Sequence, residues 1–387
     1  MNVLFVTHHR CTPTSGGVER ITFDLSREMI RHQHKVDFIY TSRQETQDPN
    51  EHCMPAERAY EYSERCKRYY QNVQRSLKTD VVIVQLAVTD RRHFFFGNTL
   101  SGVRAVACVH CSALHRMVPN YSIAQGWKSA LWWAMWNVAP KMAKTLTMRS
   151  LKNEYSWLAW RAYRIVVLRE DYRQQVENLF GVKTTVIPDF FTYGQPEPIP
   201  TEAKEKIVLQ VGRMHQQSKN PLLFVRSWQR LCLSHPDWRA VMIGGGEDWQ
   251  IVQDYIKENN VPRIELLSEQ DPTQYYKRSA MVCLSSPQES FGLALLEGAT
   301  YSCATVSYDG KLVTQRVKSY DEQGYQEAIA QLMNDRDLLQ MQQLKAWEWS
   351  KKFQCEKIYR RWEALLEKPK DCEKNDIIWK FYTKTIT

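Results

Sequence analysis

Three short stretches of this 387-residue sequence hold residue types whose spacing could support chemistry. The most informative is Gln288-Glu289-Ser290-Phe291-Gly292-Leu293-Ala294-Leu295-Leu296-Glu297-Gly298, directly after the apolar run Met281 to Leu284. A helix beginning near Phe291 would leave Glu289 in the loop at its N-terminus and put Glu297 two turns in. The amides of Phe291, Gly292 and Leu293 would then lack helical partners and face an anion. Two carboxylates at different depths suit two different tasks. The plain alternative is a capping acid followed by a solvent-facing helical glutamate.

A second stretch pairs Val211-Gly212-Arg213, at a strand end, with Lys219-Asn220-Pro221 at the start of the next helix. The arginine as a fork and the lysine as a point charge can converge on one diphosphate. Two solvated surface cations are the alternative. The third is Ser15-Gly16-Gly17-Val18-Glu19-Arg20, where the adjacent glycines Gly16 and Gly17 at a helix start let backbone amides approach a phosphate. Gly-Gly before a helix is also an ordinary turn. His110 follows an apolar strand within Cys108-Val109-His110-Cys111 and is either a site residue or a satisfied buried histidine. That close cysteine pair has no second pair to complete a zinc site, so the ten cysteines read as reduced thiols and no metal is expected.

The elements that must carry these residues are short Val- and Ile-rich runs alternating with longer helix-like segments. This is the pattern of parallel sheets covered on both faces, an α/β fold. Strands are expected at Val3 to Thr7, Lys35 to Tyr40, Asp80 to Gln85, Val103 to Val109, Ile165 to Leu168 and Thr185 to Ile187. After the prolines Pro188, Pro196, Pro198 and Pro200 the pattern restarts at Ile207 to Val211. It continues through Ala240 to Ile243, Ile264 to Leu267, Met281 to Leu284 and Ala304 to Ser307. The expected division is a first domain over 1–190, a Pro-rich hinge over 191–203, a second domain over 204–352, and a C-terminal helix and tail over 353–387 that packs back on the first domain.

Composition excludes disorder and collagen, with 43% hydrophobic and 25% charged residues and only 15 Gly and 15 Pro. The net charge of +9 favours anionic partners, and it is local. From Lys128 to Arg169 eight basic residues face Glu154 alone. The same region holds Trp127, Trp132, Trp133 and Trp136, followed by Lys141 and Lys144. An amphipathic helix with tryptophans on one side and cations at its flank suits an anionic membrane surface. The alternative is a helix packing its tryptophans inward. No run is long and apolar enough to span a bilayer, the N-terminus lacks the pattern of a signal peptide, and no nucleic-acid motif occurs. A cytoplasmic protein, peripheral on the inner face of the plasma membrane, is the expectation.

In this order and across two α/β domains, these signals resemble the retaining family-4 glycosyltransferases of the GT-B fold, the group 1 type. The carriers are the SGGVER loop, the strand-end His110, the VGR(x5)K pair, VMIGGGE at Val241 to Glu247, and the E(x7)E motif. The resemblance covers the chain from Met1 to about Lys368 and implies two Rossmann-like doubly wound domains facing an inter-domain cleft. It further implies that Glu289 contacts the donor sugar, with His110 near the transferred group. Glu297 holds the nucleotide ribose, while Arg213 and Lys219 neutralise the diphosphate. Gly16, Gly17, Ser290, Phe291, Gly292 and Leu293 complete the donor-binding set. No acidic DxD-like cluster accompanies them, so donor binding is expected to need no metal and no cofactor.

The implied activity is retaining transfer of a hexose from a nucleotide-diphosphate sugar to a glycan or lipid-linked glycan, as in cell-surface polysaccharide assembly. Two features depart from the family. Asp189 follows Pro188 where asparagine is more usual, and Lys311-Leu312-Val313 follows Gly310 at once, where the family inserts a loop and short helix before its next strand. The second departure leaves a rival open, a catalytically impaired sugar-nucleotide- or glycan-binding protein. A dinucleotide-dependent oxidoreductase is disfavoured because no G-x-G-x-x-G follows the first strand.

Overall fold

The computed structural model describes residues 1–13, 15–43, 46–56, 62–86, 89–112, 135, 138–192, 194, 196–287, 289–308, 315–316 and 321–367. The chain divides into two compact units, one of Met1–Asp189 with the C-terminal helix from Ile358 onward, the other of Phe190–Lys357.

Among the described residues of the first unit seven strands form one parallel sheet: β1 (Asn2–Thr7), β2 (Lys35–Tyr40), β3 (Glu51–Cys53), β4 (Val81–Val84), β5 (Arg104–Val109), β6 (Arg164–Val167) and β7 (Thr185–Val186). Their order is β3-β2-β1-β4-β5-β6-β7. The central strands are apolar on both faces because both faces are covered: Val3 pairs with Val81 on one face and Leu4 with Val82 on the other, and all four are buried. The helix Gly17–Arg31 lays Ile21, Leu25 and Met29, one residue per turn, into this core. Ser63 starts the helix Glu64–Ser76 by accepting a hydrogen bond from the Cys66 amide. The C-terminal helix buries Ile358, Tyr359, Trp362, Leu365 and Leu366, and Tyr359 stacks on His32 with ring centroids 4.1 Å apart.

The second unit repeats the plan with, among the described residues, six parallel strands: β8 (Glu205–Val211), β9 (Arg239–Ile243), β10 (Ile264–Leu267), β11 (Ser279–Leu284), β12 (Ala304–Ser307) and β13 (Gln315–Arg316). Their order is β10-β9-β8-β11-β12-β13. The Pro-rich stretch read as a hinge is fastened along this unit. Trp347 Nε1 donates to the Pro196 carbonyl at 2.9 Å, the Ile199 amide donates to Ser302 Oγ at 2.9 Å, and Thr201 Oγ1 donates to Gln343 at 2.6 Å. The boundary between the units falls earlier, after Asp189.

Each sheet reverses its strand order once, at β1/β4 and at β8/β11. Connections leave such a point in opposite directions, opening a crevice at the carboxyl ends of the strands where ligands of open α/β sheets bind. The loops there follow Thr7 and Val84 in the first unit, and Val211 and Leu284 in the second. Three of the four carry the chemistry-bearing stretches found in the sequence.

One sequence expectation needs correction. The helix with Glu297 runs Leu293–Thr300, so it begins after Phe291, because Gly292 at its start takes a left-handed φ of 79° that ends the preceding loop. After β12 the sheet continues with Gln315–Arg316, where Val306 lies opposite Gln315; Lys311-Leu312-Val313 lies outside the described residues. The sequence reading also lacked β3, whose short run Glu51-His52-Cys53 has no apolar signature.

Candidate functional site

At the β8/β11 switch point Glu289 is buried, and its Oε1 accepts a hydrogen bond from Lys219 Nζ at 2.6 Å. A carboxylate taken out of water needs such a partner, since an unpaired buried charge costs several kcal/mol. Lys219 closes a single helical turn, Gln216–Lys219, and Asn220 with a left-handed φ of 47° then turns the chain into the helix Pro221–Leu231. Ser285, the first residue after β11, donates from Oγ to the Lys219 carbonyl at 2.9 Å, which ties the two motif loops together.

Arg213 is exposed in the loop after β8. The loop after β9 supports it from beneath: Met214 N donates to the Gly245 carbonyl at 2.8 Å, and Gln216 N donates to Asp248 Oδ2 at 2.6 Å. That approach depends on glycine. A Cβ on Gly246 would lie 2.5 Å from the Met214 carbonyl oxygen and 2.9 Å from Arg213 Cγ, and one on Gly244 would lie 2.0 Å from the Gly212 oxygen. The glycines of VMIGGGE therefore act as the bed for the Arg213 loop.

In the helix Leu293–Thr300 the amides of Leu295 and Leu296 both donate to the Gly292 carbonyl. Those of Leu293 and Ala294 are the outermost donors of the first turn, one residue beyond the set expected from sequence. Phe291 offers no side chain to a ligand, because its ring is buried edge-on against Phe353 at 5.2 Å. Ser290 is half-buried in the bend before Gly292. Glu297 is buried, and its Oε2 accepts from Tyr276 Oη at 2.9 Å. Gly298, next to it, lies so close to β11 that an added Cβ would sit 2.5 Å from Val282 Cγ2. Gly298→Ala is expected to destabilise the protein by about 1–3 kcal/mol through overpacking. Thermal unfolding checks this, and Val282→Ala should restore part of the loss; an unchanged Tm would contradict the packing account.

In the first unit Gly16 is the N-cap of the helix Gly17–Arg31, and both glycines are exposed. Glu19 stands in the same first turn, with Oε2 3.4 Å from where a Gly16 Cβ would be, a position the helix dipole favours. His110 directly follows β5 and is buried, with Nε2 2.5 Å from Oε1 of Gln85, the residue directly after β4. An amide oxygen only accepts, so Nε2 carries the proton. His110 is thus a satisfied buried histidine that also stands at the carboxyl end of the sheet. Gln85, Ser285, Asp248 and Tyr276 were absent from the sequence-based set. Gln85 had one legible signal, a polar residue closing the apolar run Val81 to Val84.

Trp127, Trp132, Trp133 and Trp136 lie outside the described residues. Lys141 and Lys144 are exposed on the helix Pro140–Arg161, which buries Ala143, Thr147, Leu151, Tyr155 and Leu158. Met142 and Leu146, with Val138 just before the helix, are exposed on its other side beside those lysines. Among the described residues no helix is long and apolar enough to cross a membrane.

Comparison with known proteins agrees with this geometry. A Glycosyltransferase Family 4 model matches residues 15–192, and a Glycosyl transferases group 1 model matches residues 195–347. An uncharacterised glycosyltransferase of Haemophilus influenzae is 25% identical over 181 residues, 42% of this chain and 49% of that protein. One of Methanocaldococcus jannaschii is 22% identical over 252 residues, 56% of this chain and 62% of that protein. The chain spans about half the length of the curated relatives it matches. Among solved structures, S. aureus TarM in complex with fondaparinux, α-GlcNAc-glycerol and UDP has a TM-score of 0.71 at 13% identity, covering 95% of this chain and 100% of that one. The pneumococcal O-GlcNAc transferase GtfA, in complex with UDP and GlcNAc, has a TM-score of 0.69 at 11% identity, covering 95% and 98%. With both halves matched by glycosyltransferase models and both sheets wound as that fold requires, the chain belongs to the family-4 glycosyltransferases of the GT-B fold.

Proposed function

We propose that this protein is a retaining glycosyltransferase that moves a hexose from a nucleotide-diphosphate sugar to a glycan or lipid-linked glycan. The observation that carries the reading is the Lys219–Glu289 pair at the β8/β11 switch point, a cation and a buried carboxylate brought to 2.6 Å where a ligand of this fold sits. Breaking the bond between the anomeric carbon and the diphosphate places negative charge on the leaving group. Lys219, Arg213 and the first-turn amides of Leu293 and Ala294 stabilise that charge as it develops. Glu289 meets the sugar and Glu297 takes the ribose. With two cations and the helix start on the diphosphate, the reaction proceeds without a metal.

The test is hydrolysis and transfer with a panel of nucleotide sugars, followed by NMR of the anomeric centre, with and without chelator. Release of the sugar with its configuration kept, unaffected by chelator, is the expected result. Inversion, or activity lost with chelator and restored by magnesium or manganese, refutes the mechanism. A second reading, a binding protein without turnover, is favoured by one feature: β12 and β13 pair in parallel although only residues 308–314 join them, and such pairs ordinarily need a crossover of about a dozen residues or more. Nucleotide-sugar binding without any hydrolysis would support it.

The acceptor side of the reading is a membrane surface at the cytoplasmic face. Its support is the exposed side of the helix Pro140–Arg161, where Met142 and Leu146 lie among Lys141, Lys144, Arg149 and Lys152. The protein is expected to sediment with vesicles of anionic lipid. Binding should fall with salt as the Debye length shrinks from about 10 Å at 0.1 M to about 3 Å at 1 M. Ser at positions 142 and 146 should release it without unfolding, since both side chains are already exposed. A protein indifferent to anionic vesicles would leave a soluble acceptor as the better reading.

A further inference from the structure

The carboxylate of Glu297 is aimed by a neighbour that the sequence motif does not contain. Tyr276 sits in the short helix Thr273–Arg278, buried, and donates from Oη to Glu297 Oε2 at 2.9 Å. Its ring lies nearly parallel to that of Tyr301, with centroids 6.4 Å apart and planes 9° off. Its backbone is fixed as well. The Tyr276 carbonyl accepts from Lys204 Nζ at 3.0 Å and from Cys303 Sγ at 3.1 Å. Lys204 Nζ also donates to the carbonyl of Tyr301, the residue that closes the helix carrying Glu297.

Lys204 is therefore a half-buried cation held by backbone carbonyls at the ends of two helices. Those carbonyls lack helical partners, and the helix dipoles make those ends negative. Burial lowers its pKa, the cost of keeping an ammonium there. One side chain thus ties together the helix of Tyr276 and the helix of Glu297, and the tyrosine hydroxyl is set against one oxygen of the carboxylate. A carboxylate that must accept from a pair of adjacent hydroxyls needs its orientation held to within about 10–20°.

We propose that Tyr276 is a positioning residue, orienting Glu297 toward the ribose hydroxyls of the donor nucleotide. The inference rests on the ribose role given to Glu297 above. A tyrosine that only fills the core would support stability equally well, but it would not govern how the site tells ribose from deoxyribose.

The experiment measures binding of UDP, GDP, ADP and CDP, each beside its 2′-deoxy counterpart, by calorimetry on wild type, Tyr276→Phe and Glu297→Ala. For the preferred base the wild type is expected to bind the ribonucleotide about tenfold tighter, the scale of one hydrogen bond to a charged group. Tyr276→Phe keeps the ring and should lower that ratio severalfold while leaving affinity for the deoxynucleotide nearly unchanged. Glu297→Ala should bring the ratio near one. If Glu297→Ala lowers the ratio and Tyr276→Phe leaves it at the wild-type value, the positioning role is overturned and the ribose role stands. If Glu297→Ala leaves the ratio unchanged, or none of the four nucleotides binds, the ribose role itself fails and this inference with it.

Discussion

Glu289→Gln is expected to reduce turnover by on the order of 10²- to 10³-fold, the scale for removing a group that stabilises developing charge. Donor KM should stay level or fall. The reason is the 2.6 Å pairing with Lys219: the amide no longer engages the ammonium as a counter-ion, so the donor diphosphate meets a cation it does not share. Lys219→Ala should act on the other partner, lowering kcat/KM by about 2–4 kcal/mol, or roughly 30- to 1,000-fold. Because each side chain is the other's partner, the double variant should lose less than the two single losses combined. Steady-state kinetics on the three variants check this. Undiminished turnover in Glu289→Gln, or strict additivity in the double variant, would remove the pair from the mechanism.

The second large effect concerns stability. Asp189 is buried at the end of the first unit, and burial pushes its carboxyl up from an ordinary 3.8 to about 7. Between those two values the folded chain holds a proton that the unfolded chain has released. Stability contributed by this group is therefore full below about pH 4, is lost as pH rises toward 7, and levels off above it. At about 1.4 kcal/mol per pH unit the loss is on the order of 4 kcal/mol. Asp189→Asn puts a neutral group of the same shape in place. It should raise Tm near pH 8 and flatten the fall in Tm between about pH 5 and pH 7. Calorimetric melting of both proteins across that range decides it, and parallel curves would show that the carboxylate is not what penalises the folded state. The result has a bearing on the sequence too, since asparagine is the residue the family more usually carries after that proline.

Much of the fold was legible from local pattern. The runs Lys35 to Tyr40, Ile264 to Leu267 and Ala304 to Ser307 are strands with the expected ends, because short runs rich in strand-favouring residues and bounded by turn signals mark them. β3 was missed because an edge strand needs no such run, and the helix start at Leu293 because the sequence does not say which of several residues before a helix turns left-handed. The candidate site divides in the same way. Glu289, Glu297, Arg213 and Lys219 stood out by type and spacing, which are properties of neighbours along the chain. The residues that hold them in place, Tyr276, Ser285 and Asp248, did not.

Sequence by itself determined the α/β class, the order of the motif loops, and the residue types that could hold an anion. Tertiary structure decided which of them meet. Lys219 and Glu289 are 70 residues apart, Gln85 and His110 are 25 apart, and Tyr276 and Glu297 are 21 apart, yet each pair is in hydrogen-bond contact. The first two contacts exist because β8 lies beside β11 and β4 beside β5. The third exists because the helix before β11 packs against the helix after it. Strand order is set by how the whole sheet buries its two faces, so no local pattern of residues encodes it.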